Sequence, residues 1–213
     1  MISLQIQAHN DILRRHGEGF ETLPAPNRNG SHEDRVMASR GIRPIRVEGN
    51  IAYVPLTRGY EAVIDAADVP LVDGAPWQAK IHRRADGTIR SIYASRRDPA
   101  GDGSRRHVLM HRIIAGTPDG AETDHIDGNG LHNWRTNLRT ATKTQNQHNC
   151  RVRSDSTSGI KGVSWYPSTG KWRAAIRAYG QRRCLGVHKC RTAAALAYAK
   201  ASRELHGDYG RTE

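Results

Sequence analysis

The segment Thr123–Asn149, TDHIDGNGLHNWRTNLRTATKTQNQHN, decides the fold around it. A carboxylate and an imidazole stand side by side at Asp124 and His125, and a glycine-containing loop follows them. Beyond the loop come Asn137 and a short polar stretch that carries Asn146. Oxygen ligands of this kind suit a hard divalent cation, and an imidazole can take a proton from water. The segment therefore indicates a small metal-dependent site for phosphodiester hydrolysis.

The local pattern of the segment predicts two strands followed by a helix. Glycines in the loop are free to adopt positive φ, and a threonine before the polar stretch can accept the first helical N–H bonds. Side chains alternate along a strand, so Asp124 and His125 are expected to point to opposite faces. The predicted elements are a strand at Glu122–Ile126, a turn at Asp127–Gly130, a strand at Leu138–Ala141 and a helix capped by Thr142 or Thr144.

These residues resemble the HNH motif found in phage and intron-borne homing endonucleases. The running pattern of that family matches His111-Arg112, Asp124-His125-Ile126-Asp127-Gly128-Asn129, Asn137-Leu138 and Gln145-Asn146. The resemblance implies a ββα-metal fold and a nuclease that cuts DNA. Taken alone, Asp124 would simply cap a turn and Asn146 would lie on a helix surface. Their occurrence together at the spacing of the family favours the catalytic interpretation.

The resemblance and the residue chemistry assign the same roles. Asp124 and Asn146 are the predicted ligands of one Mg²⁺ or Mn²⁺ ion, the first supplying charge and the second a neutral carbonyl. His125 is the predicted general base, because an ordinary imidazole pKa near 6.5 suits proton transfer at neutral pH. Asn137 is predicted to act within the catalytic set by tying the loop and orienting His125.

Several neighbouring residues have less specific predicted roles. His111 is expected at the rim of the site, and Arg112 is a candidate for phosphate binding, with a structural role for both left open. Asp127, Asn129 and Asn133 fit turn formation and are assigned no chemistry. A zinc site at His148 and Cys150 is disfavoured, because no ligand quartet of standard spacing exists.

Residues 158–210 have the pattern of a three-stranded sheet packed on one helix. Side chains alternate through residues 171–179, and an alanine-rich helix is predicted from Thr192, its cap, to about His206, closed by Gly207. The segment is similar to an AP2-type DNA-binding domain. The predicted DNA contacts, on the sheet face away from the helix, are Lys161, Trp165, Lys171, Arg173, Arg177 and Arg183.

Charge is concentrated in this last part of the chain. The formal net charge of the 213 residues is +12, and residues 151–213 hold 13 Lys and Arg against 4 Asp and Glu. Residues 104–150 hold 6 against 4, and residues 1–103 hold 14 against 13. Neutralising phosphates releases counterions and drives binding, so the concentration of charge favours a nucleic-acid partner over a merely soluble basic surface. The resemblance implies that this partner is double-stranded DNA.

The whole chain is predicted to be α+β. Residues 1–45 are polar and broken by prolines, so poor order is expected there, with a short helix around Ile6–Arg15. A small antiparallel β unit is predicted to lead into the nuclease motif, with Trp77, Ile81, Ile92 and Tyr93 as its core. The predicted division is a terminal segment 1–45, a nuclease domain 46–149 with its motif at 104–149, a linker 150–158 and a DNA-binding domain 159–213.

Composition narrows the cellular setting. No apolar run approaches the ~18 residues of a membrane helix, and the start of the chain lacks the pattern of a signal peptide. The 3 cysteines show no CxxC spacing, which suits a reducing cytoplasm. The predicted function is metal-dependent DNA cleavage. Neither membrane association nor a small-molecule cofactor is expected. The alternative is an AP2-type transcriptional regulator whose HNH motif is inert. Oligomeric state and the number of strands cut stay open.

Overall fold

The computed structural model describes residues 41–152 and 156–212. Within these ranges, short antiparallel sheets alternate with short helices, and the predicted α+β class is confirmed. The expected poor order of residues 1–45 and the helix at Ile6–Arg15 fall wholly or mainly outside the described residues.

Two three-stranded antiparallel sheets precede the motif, where the sequence predicted one β unit. Glycine-containing turns separate the strands, and each sheet follows the chain order of its strands. The first sheet and its helix are β1 (Arg46–Glu48), β2 (Ile51–Pro55), β3 (Glu61–Asp65) and α1 (Val69–Val72). The second sheet and its helix are β4 (Gln78–Arg83), β5 (Ile89–Pro99), β6 (Arg105–Leu109) and α2 (Met110–Ala115).

The predicted two strands and helix follow. β7 (Glu122–His125) pairs antiparallel with β8 (Leu138–Ala141), and α3 (Lys143–His148) begins directly afterwards. Thr142 caps α3: its hydroxyl accepts from the N–H of Gln145, and the Gln145 side chain accepts from the N–H of Thr142. This reciprocal capping explains why so polar a segment starts a helix at that point.

The C-terminal unit is a sheet of β9 (Val163–Tyr166), β10 (Lys171–Ala178) and β11 (Gln181–His188), with β10 central, followed by α4 (Arg191–His206). The predicted cap of α4 was wrong. Cys190, not Thr192, stands at the N-cap, where its Sγ accepts from the N–H of Ala193. The predicted helix end was right, and Gly207 closes the helix at positive φ.

The two larger of three apolar clusters in the described residues share no residue. The first joins β2, β3, α1 and α2 around Trp77, whose Nε1 donates to the carbonyl of Val72. Ile81, Ile92 and Tyr93, predicted core residues, are only partly buried and lie outside this cluster. The second packs α4 on the C-terminal sheet, where Tyr198 lies against the position a Cβ on Gly162 would occupy.

The longest helix of the described residues, α4, is rich in alanine and also carries Arg191, Lys200, Arg203 and Glu204. No described helix has the length and apolar character that crossing a bilayer requires.

Candidate active site

The β7–β8 hairpin presents its two central residues to different neighbours. Asp124 stands opposite Arg139 and His125 opposite Leu138. Asp124 faces the end of α3, where Asn149 donates to it. His125 faces α2 and β5, whose aromatic rings surround its imidazole. The alternation of the strand thus separates the carboxylate from the imidazole although they are adjacent in sequence.

Asp124 is a buried carboxylate, and both of its oxygens accept hydrogen bonds. Only 3% of the residue is exposed. Its Oδ2 accepts from Arg139 at 2.8 Å from Nε and 2.6 Å from Nη2, and its Oδ1 accepts from Asn149 Nδ2 at 2.9 Å. The guanidinium and the amide together compensate a charge that burial would otherwise make very costly.

The predicted metal pair, Asp124 and Asn146, is not joined in the structure. Asn146 donates to Oε2 of Glu122 at 2.5 Å, and Asn149, three residues further along, is the amide that reaches Asp124. In residues 41–152 and 156–212, no three His, Cys, Asp or Glu side chains are grouped as a metal site. The helical turn explains the shift, since positions i and i+3 share one face of a helix.

The donor chemistry of this face still fits a hard cation. Carboxylates of Glu122 and Asp124 and amides of Asn146 and Asn149 lie between β7 and α3, and oxygen donors are the ligands that Mg²⁺ takes. Arg139 is the competitor, because its guanidinium already holds Asp124. A cation there would have to share that carboxylate or displace the guanidinium.

His125 lies in a cluster of aromatic rings. Its centroid is 4.9 Å from that of His111 and 5.9 Å from that of Tyr93, and 6% of the residue is exposed. Nε2 lies 3.0 Å from Oδ1 of Asn133. The amide nitrogen of Asn133 donates to the carbonyl of Leu131, which fixes Oδ1 toward the imidazole. The hydrogen-bond network therefore assigns the proton of His125 to Nε2.

This arrangement leaves Nδ1 of His125 as the basic nitrogen. Burial lowers the pKa of His125, and the bond to Asn133 and the charges of Asp127 and Asp124 only partly offset that effect. The imidazole is thus neutral at pH 7. Among the described residues, the sealed side-chain atoms without a partner include Nδ1 of His111 but not Nδ1 of His125. No described residue bonds to Nδ1 of His125, so this atom is left for a water molecule.

We expect Asn133 to set the proton affinity of His125. In Asn133→Leu the acceptor for Nε2–H is lost, so the pKa of His125 should fall further. In Asn133→Asp a carboxylate facing the imidazole should raise it. NMR titration of the His125 ring measures both shifts. An unchanged pKa in both variants would show that Asn133 does not position His125.

His111 was expected at the rim of the site, with a structural role left open, and the structure places it away from the rim. The strand ends at Leu109, and His111 lies in α2 with 5% of the residue exposed. Burial, followed by the charges of His125 and Arg112, lowers the pKa of His111 to about 3. A sealed, neutral ring packs behind His125 and cannot touch a phosphate.

Arg112, predicted to bind phosphate, has a structural role. Its guanidinium donates to the carbonyls of Ala121 at 2.7 Å, Pro118 at 3.1 Å and Thr117 at 3.5 Å. These bonds close the loop between α2 and β7. They satisfy carbonyls that the end of α2 and the following turn leave without partners.

Asn137 ties the loop between β7 and β8. Its Nδ2 donates to Oδ1 of Asp127 at 3.0 Å and to the carbonyl of His132 at 2.8 Å, and its Oδ1 accepts from the N–H of Asp127 at 3.1 Å. His132 Nδ1 lies 2.6 Å from the other oxygen of Asp127. Burial would raise the pKa of Asp127, but bonds from His132, Asn129 and Asn137 hold it below its ordinary value.

The first sheet supports the same loop. The N–H of Val63 donates to the carbonyl of Leu131 at 2.8 Å, and the N–H of Asn133 donates to the carbonyl of Val63 at 2.7 Å. Trp134 packs on Val63 and Tyr53 in a small apolar cluster. The loop that carries Asn133 is therefore held like an added strand beside β3, which fixes the acceptor for His125.

Five residues of the site were not predicted: Tyr93, Glu122, Asn133, Arg139 and Asn149. Asn149 could have been found, since it lies three residues after Asn146 on one helix face. Arg139 could have been found as the cross-strand partner of Asp124. Tyr93 and Asn133 reach His125 through tertiary packing, for which the sequence has no local signal.

The C-terminal sheet has a basic face opposite α4. On β10, Ala174, Ile176 and Ala178 are buried against the helix, so the alternate residues face away from it. Strand pairing adds Tyr166 beside Lys171 and Arg182 beside Arg177. Residues that share this outer face are Tyr166, Lys171, Arg173, Arg177 and Arg182.

Three predicted DNA contacts do not lie on this outer face. Trp165 stands opposite Trp172, and Arg183 stands opposite Ile176. Trp165 and Arg183 therefore lie on the side of the sheet that packs on α4, although both are exposed. Lys161 precedes β9, and its ammonium donates to the carbonyls of His148 and Cys150. Burial lowers the pKa of Lys161. Cys150 has a smaller effect that raises this pKa, and the charge of Arg211 lowers it further.

The end of the chain crosses the hairpin on the Asp124 side. Tyr209 Oη donates to the carbonyl of Thr140 at 2.8 Å, and Arg139 Nη1 donates to the carbonyl of Asp208 at 2.8 Å. A cleft of about 410 Å³ remains between this segment and the hairpin, bounded in part by Asn137, Arg139 and Asn149. The face that carries Asp124 is therefore partly covered by the chain itself.

The fold and the site define an α+β protein of small antiparallel sheets, with a paired-strand hairpin and helix that hold an Asp-His pair. Protein 3.8 of Escherichia phage T7 is 35% identical over 108 residues, which are 50% of this chain and 88% of the phage protein. The chain belongs to the family of that phage protein. No family model matches the chain. No solved structure matches it either.

Proposed function

We propose that the protein is a metal-dependent DNA endonuclease, with an HNH-like centre on β7, β8 and α3 and an AP2-like sheet that holds duplex DNA. One observation supports this above the others. Burial lowers the pKa of His125, its Nε2 is bonded to Asn133, and its Nδ1 has no hydrogen-bond partner among the described residues. The residue comes directly after the carboxylate Asp124 in sequence. A fixed, neutral imidazole in contact with water is what a general base requires.

In the proposed reaction, Nδ1 of His125 takes a proton from water while the water oxygen bonds to phosphorus. The bond from phosphorus to the 3′ oxygen breaks, and that oxygen is protonated. The products carry a 5′ phosphate and a 3′ hydroxyl. Mg²⁺ or Mn²⁺ would be held by Asp124 with Glu122, Asn146 and Asn149, and when bound it supplies stabilisation of charge on the leaving oxygen.

Cleavage of supercoiled plasmid tests the proposal. Wild-type protein with Mg²⁺ should convert supercoiled DNA to the relaxed form, and EDTA should prevent it. One centre attacks one strand per encounter, so nicked circles should precede linear DNA. Tight binding without cleavage, in Mg²⁺ and in Mn²⁺, would contradict the enzyme.

The alternative is a DNA-binding regulator with an inert HNH-like centre. The observation that favours it is the ion pair between Asp124 and Arg139, which occupies the carboxylate that a cation would need. The regulator would bind DNA equally well with and without divalent cations. For either function we propose the cytoplasm of a phage-infected bacterium as the setting, since the relative is a phage protein.

We expect the outer face of the C-terminal sheet to contribute to the salt dependence of DNA binding. Arg173→Ala/Arg177→Ala should lower the slope of log affinity against log salt by about 1.8, since each phosphate contact contributes ~0.9. The control Arg183→Ala/Arg203→Ala removes the same charge on the helix side. Fluorescence anisotropy with duplex DNA measures the slope, and equal slopes in the two variants would contradict this assignment.

A further inference from the structure

The second sheet, β4–β5–β6, has one face that carries positive charge and no carboxylate. Strand pairing places Lys80 opposite Tyr93, and Arg97 opposite His107. Residues of the strands that share this face are Gln78, Lys80, His82, Ser91, Tyr93, Ser95, Arg97, Arg105, His107 and Leu109. The acidic residue of β5, Asp98, lies on the other face, where it pairs with Arg96.

The cations on this face lie close together. Partial desolvation, then the charges of Lys80 and Arg97, lower the pKa of His107. Arg97, Arg105 and His107 are all exposed. The acidic residues of the two hairpin turns, Asp86 and Asp102, accept hydrogen bonds from Thr88 and Ser104 in their own turns. Within residues 41–152 and 156–212, no salt bridge pairs a cation of this face.

The same face runs into the candidate active site through a series of rings. The centroid of His82 lies 5.8 Å from that of Tyr93, and the centroid of Tyr93 lies 5.9 Å from that of His125. Tyr93 is held there by the loop after β7, because a Cβ on Gly130 would meet its ring. Tyr93, which contacts the imidazole, therefore shares this face with Lys80 opposite it and with Arg97 further along β5. The basic C-terminal sheet belongs to a separate apolar cluster.

We propose that this face, defined by Lys80, Arg97, Arg105 and His107 and called here the proximal basic face, binds the phosphate backbone of the DNA strand presented to His125. Arg97 and Arg105 are exposed cations, Lys80 adds a half-buried one, and the exposed ring of His107 adds a polar group. Such a face without carboxylates complements a polyanion, and phosphate contacts fix register without reading sequence. The inference rests on the proposed function for the identity of the strand, and it assigns DNA a second surface beside the C-terminal sheet.

The matched variants are Arg97→Ala/Arg105→Ala on the proximal basic face and Arg106→Ala/Lys200→Ala as control. Arg106 neighbours Arg105 on β6 but faces the other way, opposite Asp98, and Lys200 is exposed on α4. Each variant removes two positive charges from exposed positions. Thermal unfolding of the full chain verifies that both fold.

Binding to a duplex oligonucleotide is measured by fluorescence anisotropy across a salt series. The proximal variant should lower the slope of log affinity against log salt by about 1.8, and the control should leave it unchanged. An unchanged slope in the proximal variant, or an equal loss in both, would overturn the proposal. Plasmid cleavage is scored separately. Wild-type protein that binds but does not cut would refute the endonuclease and leave the binding test of this face intact.

Discussion

Replacement of His125 by alanine should reduce Mg²⁺-dependent plasmid relaxation by about 10²–10⁴-fold, the range expected for loss of a general base. The imidazole contacts the rings of His111 and Tyr93 and does not lie on the outer basic face of the C-terminal sheet. DNA affinity should therefore stay within a factor of a few of wild type. Rates of nicking in single-turnover conditions, with anisotropy on the same preparations, measure the two effects separately.

A matched histidine substitution controls for loss of an imidazole as such. His188→Gln changes a half-buried histidine of β11, remote in sequence from the hairpin, and should retain cleavage. Equal activity of His125→Ala and wild type would remove His125 from the reaction. Equal loss in His125→Ala and His188→Gln, with reduced folding stability in both, would attribute the loss to the fold.

Arg139→Ala should lower the free energy of unfolding by about 3–5 kcal/mol, because it leaves a buried carboxylate without its charge partner. Asp124 is almost completely buried, and Arg139 is the only cation that an observed salt bridge places on it within the described residues. The control is Arg46→Ala, which removes ion pairs with Glu48 and Glu61 and a cation–π contact with Tyr53 at the surface. It should cost about 1–2 kcal/mol. Urea unfolding of both variants measures the difference.

The same variant tests the competition between guanidinium and cation at Asp124. Without Arg139, the carboxylate needs another positive partner, so Mg²⁺ should stabilise Arg139→Ala more than wild type. A ligand that binds only the folded state raises its stability, and the increment reports affinity. If Arg139→Ala costs no more than Arg46→Ala, Asp124 is not the buried charge described above. If Mg²⁺ stabilises neither protein, the carboxylate does not bind a cation.

The β7–β8 hairpin and the helix α3 were predictable because their sequence signals are local. Leu138–Ala141 was predicted with the bounds that the structure has, and Thr142 caps α3 through a bond pattern that Thr and Gln three residues apart can form. The helix α4 ends where glycine permits it. These elements depend on neighbours in sequence, and the sequence displays those neighbours directly.

The errors arise where strands or helices meet others. His111 continues a strand-like run in sequence, yet Met110 and Ile114 are buried in the first apolar cluster, and α2 forms there as a result. Trp165 was assigned to the wrong face, because alternation within a strand does not determine the register between strands. A bulge between Ala174 and Ala175 changes the register of β11 and was not foreseeable.

In the candidate active site too, features with a local sequence signal were predicted and features that depend on tertiary contacts were not. Asp124 and His125 were placed on opposite faces by strand geometry alone, and the structure places their contacts accordingly. The partner of each was not predicted. Asn133 is brought to His125 by the pairing of its loop with β3, and Arg139 reaches Asp124 across the hairpin. Whether these residues act on DNA stays a prediction.

In the proposed function, the imidazole of His125 activates water for attack on a DNA phosphodiester. The most direct measurement is a single turnover of wild-type protein on duplex DNA in ¹⁸O-labelled water with Mg²⁺, followed by mass spectrometry of the cut ends. We expect ¹⁸O in the 5′ phosphate and a free 3′ hydroxyl. Intact DNA that stays tightly bound to the protein would contradict it.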